Sequence, residues 1–115
     1  MKPRIHHHPV VEYIRHLVTM FPRIIYVGPE PALTLMSKDD YKEALVMQQM
    51  KHIAQMLHST DTSKMSNGCG LSVDVQPMLF DMAGKTIPVA LVRVTSPNEP
   101  SFAYCALLEL EPVKV

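Results

Sequence analysis

The stretch "IPVALVRVTSPNEPSFAYCALLEL", residues 87–110, decides the fold class of this chain. Residues 87–95 and 102–110 are rich in the β-branched, aromatic and aliphatic side chains that favour strands. Between them, "SPNEPS", residues 96–101, has the prolines and polar residues of a turn. Pro88 is confined to the start of the first strand, where a missing backbone N–H is tolerated. The stretch therefore predicts two neighbouring strands of a C-terminal antiparallel meander.

A third strand precedes this pair and begins at Leu71. Apolar and polar residues alternate along residues 71–76, which is the period of a strand with one face buried. Pro77 interrupts the alternation, so this strand is either short or at an edge of the sheet, and "MLFDM", residues 78–82, is its candidate continuation. "AGKT", residues 83–86, predicts the hairpin turn that leads into the next strand.

The N-terminal part of the chain predicts a helix followed by a short strand. Pro9 suits the first turn of a helix, and Pro22 ends it at or before Phe21. "RIIYV", residues 23–27, reads as a short strand, and "LTLM", residues 33–36, as another extended piece. Five apolar residues follow helical spacing and predict the buried stripe of the helix: Val10, Ile14, Leu17, Val18 and Phe21.

A second helix is predicted over residues 38–58, because Ser37 and Asp40 form a capping-box-like start. Residues 59–70, which are polar and contain glycine, predict a loop. The expected fold class is α+β: two α-helices packed on a small, mainly antiparallel sheet with a C-terminal β-meander. Residues 1–115 form a single domain, with residues 1–8 as a flexible N-terminal segment.

The second helix has two apolar faces. One broad stripe should lie on the sheet: Val46, Met47, Met50, Ile53, Ala54 and Leu57. Nearly opposite lie Tyr41, Leu45 and Met56, with His52 among them, and we predict these four as a partner or dimer surface. Three interpretations stay open: the first helix covers this face, two copies pack across a twofold axis, or another protein docks there.

The sheet carries a weaker version of the same pattern, since both faces of residues 89–95 and 102–110 are mostly apolar. An antiparallel sheet with one face in water alternates more cleanly. We therefore expect either that helices cover both faces or that one face meets another chain. Arg93 is a single charge on its strand, and we expect it to pair with Glu109 or Glu111 on the neighbouring strand.

Composition excludes several classes of protein. Hydrophobic residues make up 47% of the chain and charged residues 19%, which excludes intrinsic disorder. Eleven basic and eleven acidic residues cancel, so we expect no membrane partner and no general attraction to nucleic acid. Local charge is uneven, with a basic surplus over residues 1–28 and an acidic surplus over residues 99–115; these patches can attract each other within one fold or between subunits.

The cysteines and histidines indicate the cellular location of the protein and whether it binds a metal ion. Two cysteines make no disulfide framework, and no stretch has the length of a transmembrane helix, so a cytoplasmic setting is expected. The run His6–His8 is interpreted as solvated N-terminal residues rather than a metal site, because adjacent side chains point different ways. Glu12 and His16 are interpreted as a weak surface pair rather than an acid/base dyad. We expect no cofactor and no metal.

Cys69, in "NGCG", residues 67–70, is the strongest candidate for chemistry. A cysteine between glycines on a loop can be an exposed nucleophile, although the glycines are equally explained as turn residues. Cys105 lies in an apolar strand and predicts a small core residue. No phosphate-binding loop, dinucleotide-binding motif or nucleophile elbow is present.

These features favour binding over catalysis. We expect a small cytosolic protein-interaction or regulatory domain, an inhibitor or accessory factor, that lacks catalytic activity and engages another protein or a second copy of itself as a homodimer. Nine methionines suit an adaptable contact surface. The first alternative is a small cysteine-dependent enzyme or ligand-binding protein that uses the loop around Cys69. A remoter alternative is nucleic-acid contact by the basic N-terminus.

Overall fold

The computed structural model of the chain describes residues 9–39, 46–58, 71–97 and 99–111. It confirms the α+β class, with two helices and five strands in one antiparallel sheet. The predicted flexible segment 1–8 and loop 59–70 lie outside the described residues. The elements are α1 (Pro9–Met20), β1 (Ile24–Gly28), β2 (Thr34–Leu35), α2 (Val46–His58), β3 (Ser72–Met82), β4 (Lys85–Ser96) and β5 (Glu99–Glu109).

The sheet has the strand order β1-β5-β4-β3-β2, and every neighbouring pair is antiparallel. A two-residue turn joins β3 to β4, with Ala83 at φ 53° and Gly84 at φ 80°. Two positive φ angles are the signature of the type I′ turn, whose twist matches that of the flanking strands. Lys85 and Thr86, predicted within this turn, belong to β4 instead. β5 likewise begins at Glu99, earlier than the sequence predicted.

β3 runs without interruption through Pro77, so it is not short, and β2 pairs with it only at Met78 and Leu79, which leaves Ser72–Pro77 without a second partner strand among the described residues. Met82 and Lys85 flank the two-residue turn and form a hydrogen-bonded pair. Because such pairs alternate along a ladder, the even-numbered residues of β3 bond to β4 and the odd-numbered residues turn their N–H and C=O outward. Pro77 is odd-numbered, so its missing N–H faces outward and the ladder to β4 loses no bond.

Both helices lie on one face of the sheet, where α1 covers β4 and β5 and α2 covers β3. The stripe predicted for α1 is partly wrong. Val10, Ile14, Leu17 and Phe21 are buried as expected, but Val18 is 49% exposed. Tyr13, absent from the prediction, is 1% exposed and takes its place in the core. α1 is therefore rotated toward Tyr13, whose large ring fills space between the two helices and the sheet.

α2 is rotated in a similar way. Val46, Ile53 and Leu57 are buried, and Met50 packs against them as predicted. Two members of the predicted core stripe are exposed instead: Met47, by 69%, and Ala54. The rotation of α2 is explained by contacts on the other flank of the helix. There, Gln49 donates from Nε2 to the carbonyl oxygen of Glu111 at 2.8 Å and accepts the backbone N–H of Glu111 at 2.7 Å.

The second face of the sheet has its own core, which neither sequence interpretation anticipated. Val89, Leu91, Cys105 and Leu107 are fully or almost fully buried there. Since β1 and β2 lie at opposite edges, the chain between them must cross the sheet, and Leu33 packs on this face as it crosses. The remaining cover comes from Ile25, Tyr26, Met78, Phe80 and Ile87. Strand residues and a crossing segment of the same chain thus pack on the core of this face.

Two groups of ion pairs join distant parts of the chain. Arg93 donates from Nε to Glu30 Oε1 at 2.7 Å, so its predicted pairing with Glu109 or Glu111 is wrong. Those two carboxylates instead meet Arg23. This contact joins the basic N-terminal and acidic C-terminal parts of the chain within one fold. All of these charges are partly exposed, so each pair contributes at most about 1 kcal/mol.

Candidate interaction surface

The residues predicted as a partner surface have different surroundings. His52 is exposed, whereas Met56 is half-buried and packs against the core of its own chain. Tyr41 and Leu45 lie outside the described residues. The binding role assigned to these four residues stays a prediction.

The opposite flank of α2 presents a different apolar surface. Met47 and Ala54 lie there beside Lys51 and His58, and all four side chains are exposed. We call these four residues the α2 flank. The helical wheel of the sequence placed its two apolar members in the core. That placement was wrong, since spacing alone does not fix how a helix is rotated on its sheet.

A groove separates the α2 flank from β3. One cavity of about 620 Å³ is lined by Met47, Met50, Ala54 and Val75, together with Gln48 and Lys51. An adjoining cavity of about 490 Å³ is lined by Tyr13, Ala54, Leu57, His58, Leu71, Val73 and Val75. Because both cavities include Ala54 and Val75, they form one groove along the strand, which we call the β3 groove. Its floor on β3 is apolar.

Along the strand that borders this groove, part of the outer side has no partner strand among the described residues. β2 pairs with β3 only at Met78 and Leu79, so none of the described residues pairs with the outer side of Ser72–Pro77. The alternation along the ladder turns the backbone N–H and C=O of Val73 and Val75 toward this open side. An unpaired edge of this kind is a template for another strand. Main-chain hydrogen-bonding groups that have no strand partner among the described residues thus lie beside an apolar groove.

The other face of this edge is polar. Ser72, Asp74 and Gln76 are exposed there, and Asp74 lies opposite Arg93 on β4. A strand added to the edge would thus meet apolar side chains on the helix side and polar ones on the other. Pro77 and the alternation of residues 71–76 indicated the edge in the sequence, but nothing in the sequence indicated the groove.

The candidates for chemistry gain no support from the described residues. Within residues 9–39, 46–58, 71–97 and 99–111, no three His, Cys, Asp or Glu side chains cluster so that they could hold a metal ion. Cys69 and His6–His8 lie outside these ranges. Cys105 is fully buried, and this burial raises the pKa of its thiol to about 11, with the Glu30 carboxylate adding to the rise. The Cys105 thiol is therefore protonated and a poor nucleophile near neutral pH.

The raised pKa of Cys105 predicts a loss of stability at alkaline pH. Between pH 9.0 and about 11 the folded thiol keeps its proton while the unfolded one loses it, so ionisation favours the unfolded chain. The contribution of this thiol is complete below pH 9.0 and declines as pH rises, by no more than about 3 kcal/mol in all. Urea unfolding of the natural chain and of Cys105→Ala, at about pH 8 and about pH 10.5, should show a smaller alkaline loss in the variant. Equal losses in both chains would contradict the assignment.

Comparisons with protein-family models, with curated proteins and with solved structures give no match for this chain. Neither of the described helices has the length and apolar content that crossing a bilayer requires.

Proposed function

We propose that this chain is a small cytoplasmic protein-interaction or regulatory domain without catalytic activity, and that it binds an extended protein segment at the outer edge of β3. The observation that carries the proposal is that no described residue pairs with the outer side of Ser72–Pro77, which lies beside the β3 groove. Strand addition takes its affinity from main-chain hydrogen bonds and its specificity from pockets that receive alternate side chains. The edge at Val73 and Val75 supplies the first, and the β3 groove supplies the second.

The composition of the α2 flank and the groove supports this use. Met47 and Met50 are unbranched and flexible, and methionine adapts its shape to different apolar partners. Every second residue of an added strand points to the helix side of the sheet, where it meets the apolar floor of the groove. Lys51 and His58 on the helix side of the groove place polar groups beside its apolar floor, and interfaces likewise combine apolar and polar surface.

Peptide selection tests this proposal directly. Peptides selected from a random library on the natural chain should bind in the β3 groove, because Val73 and Val75 offer main-chain groups beside its apolar floor. Ala54→Gln places a longer polar side chain in the groove and should weaken binding of a selected peptide about 10-fold or more, equivalent to about 1.4 kcal/mol by titration calorimetry. His52→Gln is the matched control, since His52 is also exposed but lies roughly opposite on the helix.

Hydrogen exchange gives a second readout of the same binding. The amides of Val73 and Val75 should exchange more slowly when the peptide is bound, since their N–H groups then donate to it. Equal weakening by Ala54→Gln and His52→Gln, or unchanged exchange at both valines, would refute strand addition at this edge. Stronger weakening by His52→Gln would instead favour the surface predicted around His52 and Met56.

A further inference from the structure

We infer that the strand added to β3 is β3 of a second copy of this chain, paired antiparallel about a twofold axis through Val73. This inference rests on the proposed function, because it names the occupant of the same edge. A twofold axis makes an interface from one surface used twice, so the edge must be complementary to itself. The hydrogen-bonding groups, the charges and the apolar side chains of β3 each meet that condition.

The main-chain groups restrict the position of the axis. Only the odd-numbered residues face outward, so odd-numbered residues must pair with each other. An axis through Val73 pairs Leu71 with Val75 of the second copy, and every one of these residues has an N–H to donate. An axis through Val75 instead pairs Val73 with Pro77 of the second copy, which has no N–H. The ladder of hydrogen bonds is therefore more complete around Val73 than around Val75.

The charge of Asp74 favours the same position of the twofold axis, through Val73. With the axis through Val73, Ser72 lies opposite Asp74 of the second copy, and its hydroxyl can donate to that carboxylate. An axis through Asp74 would instead bring two like charges directly opposite each other, which destabilises a strand pair. Ser72 and Asp74 are both exposed in the single chain, so they are available for this contact.

The apolar side chains of β3 are also complementary to those of the second copy across this axis. Leu71, Val73 and Val75 point to the helix side of the sheet and form the floor of the β3 groove. The same three residues of the second copy then extend this apolar row beyond the edge. The two α2 flanks lie on the same face of the joined sheet, with the exposed Met47 and Ala54 of each chain directed toward the join. Pairing thus covers backbone and apolar surface that a single chain leaves exposed.

Substitution of Ser72 by either charge tests the pairing. Ser72→Asp places two carboxylates opposite each other at both symmetric contacts and should raise the dimer Kd, whereas Ser72→Lys creates two attractive pairs and should lower it. The expected change is roughly 2- to 30-fold in each direction, and sedimentation equilibrium over a range of concentrations measures it. Gln55→Asp and Gln55→Lys are the controls, because Gln55 is exposed on the solvent side of α2. These controls should leave the Kd unchanged.

The outcomes separate this inference from the proposed function. Opposite shifts of the Kd by the two Ser72 variants support the twofold pairing. A chain that stays monomeric, or a dimer whose Kd ignores Ser72, overturns it. In either of these cases, a library-selected peptide that still binds in the β3 groove leaves the proposed function standing, whereas the absence of such a peptide overturns both.

Discussion

Replacement of Tyr13 by Ala is expected to lower the free energy of unfolding by about 3–5 kcal/mol, the usual cost of removing a buried aromatic ring. Tyr13 is 1% exposed and lies where α1, the end of α2 and the start of β3 meet, with Leu57 and Val73 beside it. Loss of the ring leaves a cavity under both helices, because the long strands cannot close around it. Urea unfolding followed by circular dichroism measures the change.

Tyr13→Phe is the matched control, since it keeps the ring and removes only the hydroxyl. Burial raises the pKa of Tyr13, so the hydroxyl is neutral near neutral pH and its removal does not eliminate a charge. The Phe variant should therefore stay within about 1 kcal/mol of the natural chain. A loss below about 1 kcal/mol for Tyr13→Ala would mean that this side chain is not part of the core.

Replacement of Leu107 by Ala is expected to lower the free energy of unfolding by about 2–5 kcal/mol. Leu107 is fully buried on the face of the sheet that carries no helix, among Val89, Leu91 and Cys105. The cost is that of a core leucine, because residues of the same chain cover this face. Thermal or urea unfolding of dilute protein, at several concentrations, measures the change.

Leu35→Ala makes the same chemical change at an exposed site and serves as the control. Leu35 is 68% exposed on β2, so its replacement should change the free energy of unfolding by no more than about 0.5 kcal/mol. The loss for Leu107→Ala should not depend on protein concentration. A small loss in the monomer together with weaker association would mean that this face meets another chain, as one sequence interpretation proposed.

Local pattern was sufficient to predict the elements of this fold. The positions of α1, of the strands around residues 87–110 and of the turn at Ala83 and Gly84 follow from periodicity, proline placement and turn chemistry. Pro77, which predicted a short or an edge strand, lies in the part of β3 that has no second partner strand among the described residues. These signals act over a few residues, so they can be read without knowledge of the tertiary structure.

The rotation of the two helices could not be predicted in the same way. A helical wheel shows which apolar residues lie on one side of a helix. Which part of that side faces the core depends on contacts with residues far away in the sequence. In α1 the ring of Tyr13 displaced Val18 from the core, and in α2 the hydrogen bonds of Gln49 to Glu111 turned Met47 outward. Gln49 and Glu111 are 62 residues apart, so no local pattern connects them.

The packing on the face of the sheet without helices could not be predicted from the sequence for a related reason. It depends on the chain crossing from β1 to β2, and the pairing of Glu30 with Arg93 spans 63 residues. For the candidate interaction surface, the edge was predictable and the groove was not. Formation of the groove requires α2 to lie over β3 with Ala54 facing outward, which is a consequence of that rotation.

An isotope-filtered NMR experiment on a mixture of labelled and unlabelled chains tests most directly whether the outer edge of β3 pairs with the same edge of a second copy. In that pairing, Ser72 and Asp74 of different copies form a non-hydrogen-bonded pair with Cα atoms about 4.5 Å apart. Within one strand the same two residues are about 6.6 Å apart. We predict an intermolecular contact between the Hα protons of Ser72 and Asp74. Its absence at concentrations where sedimentation shows a dimer would contradict the account.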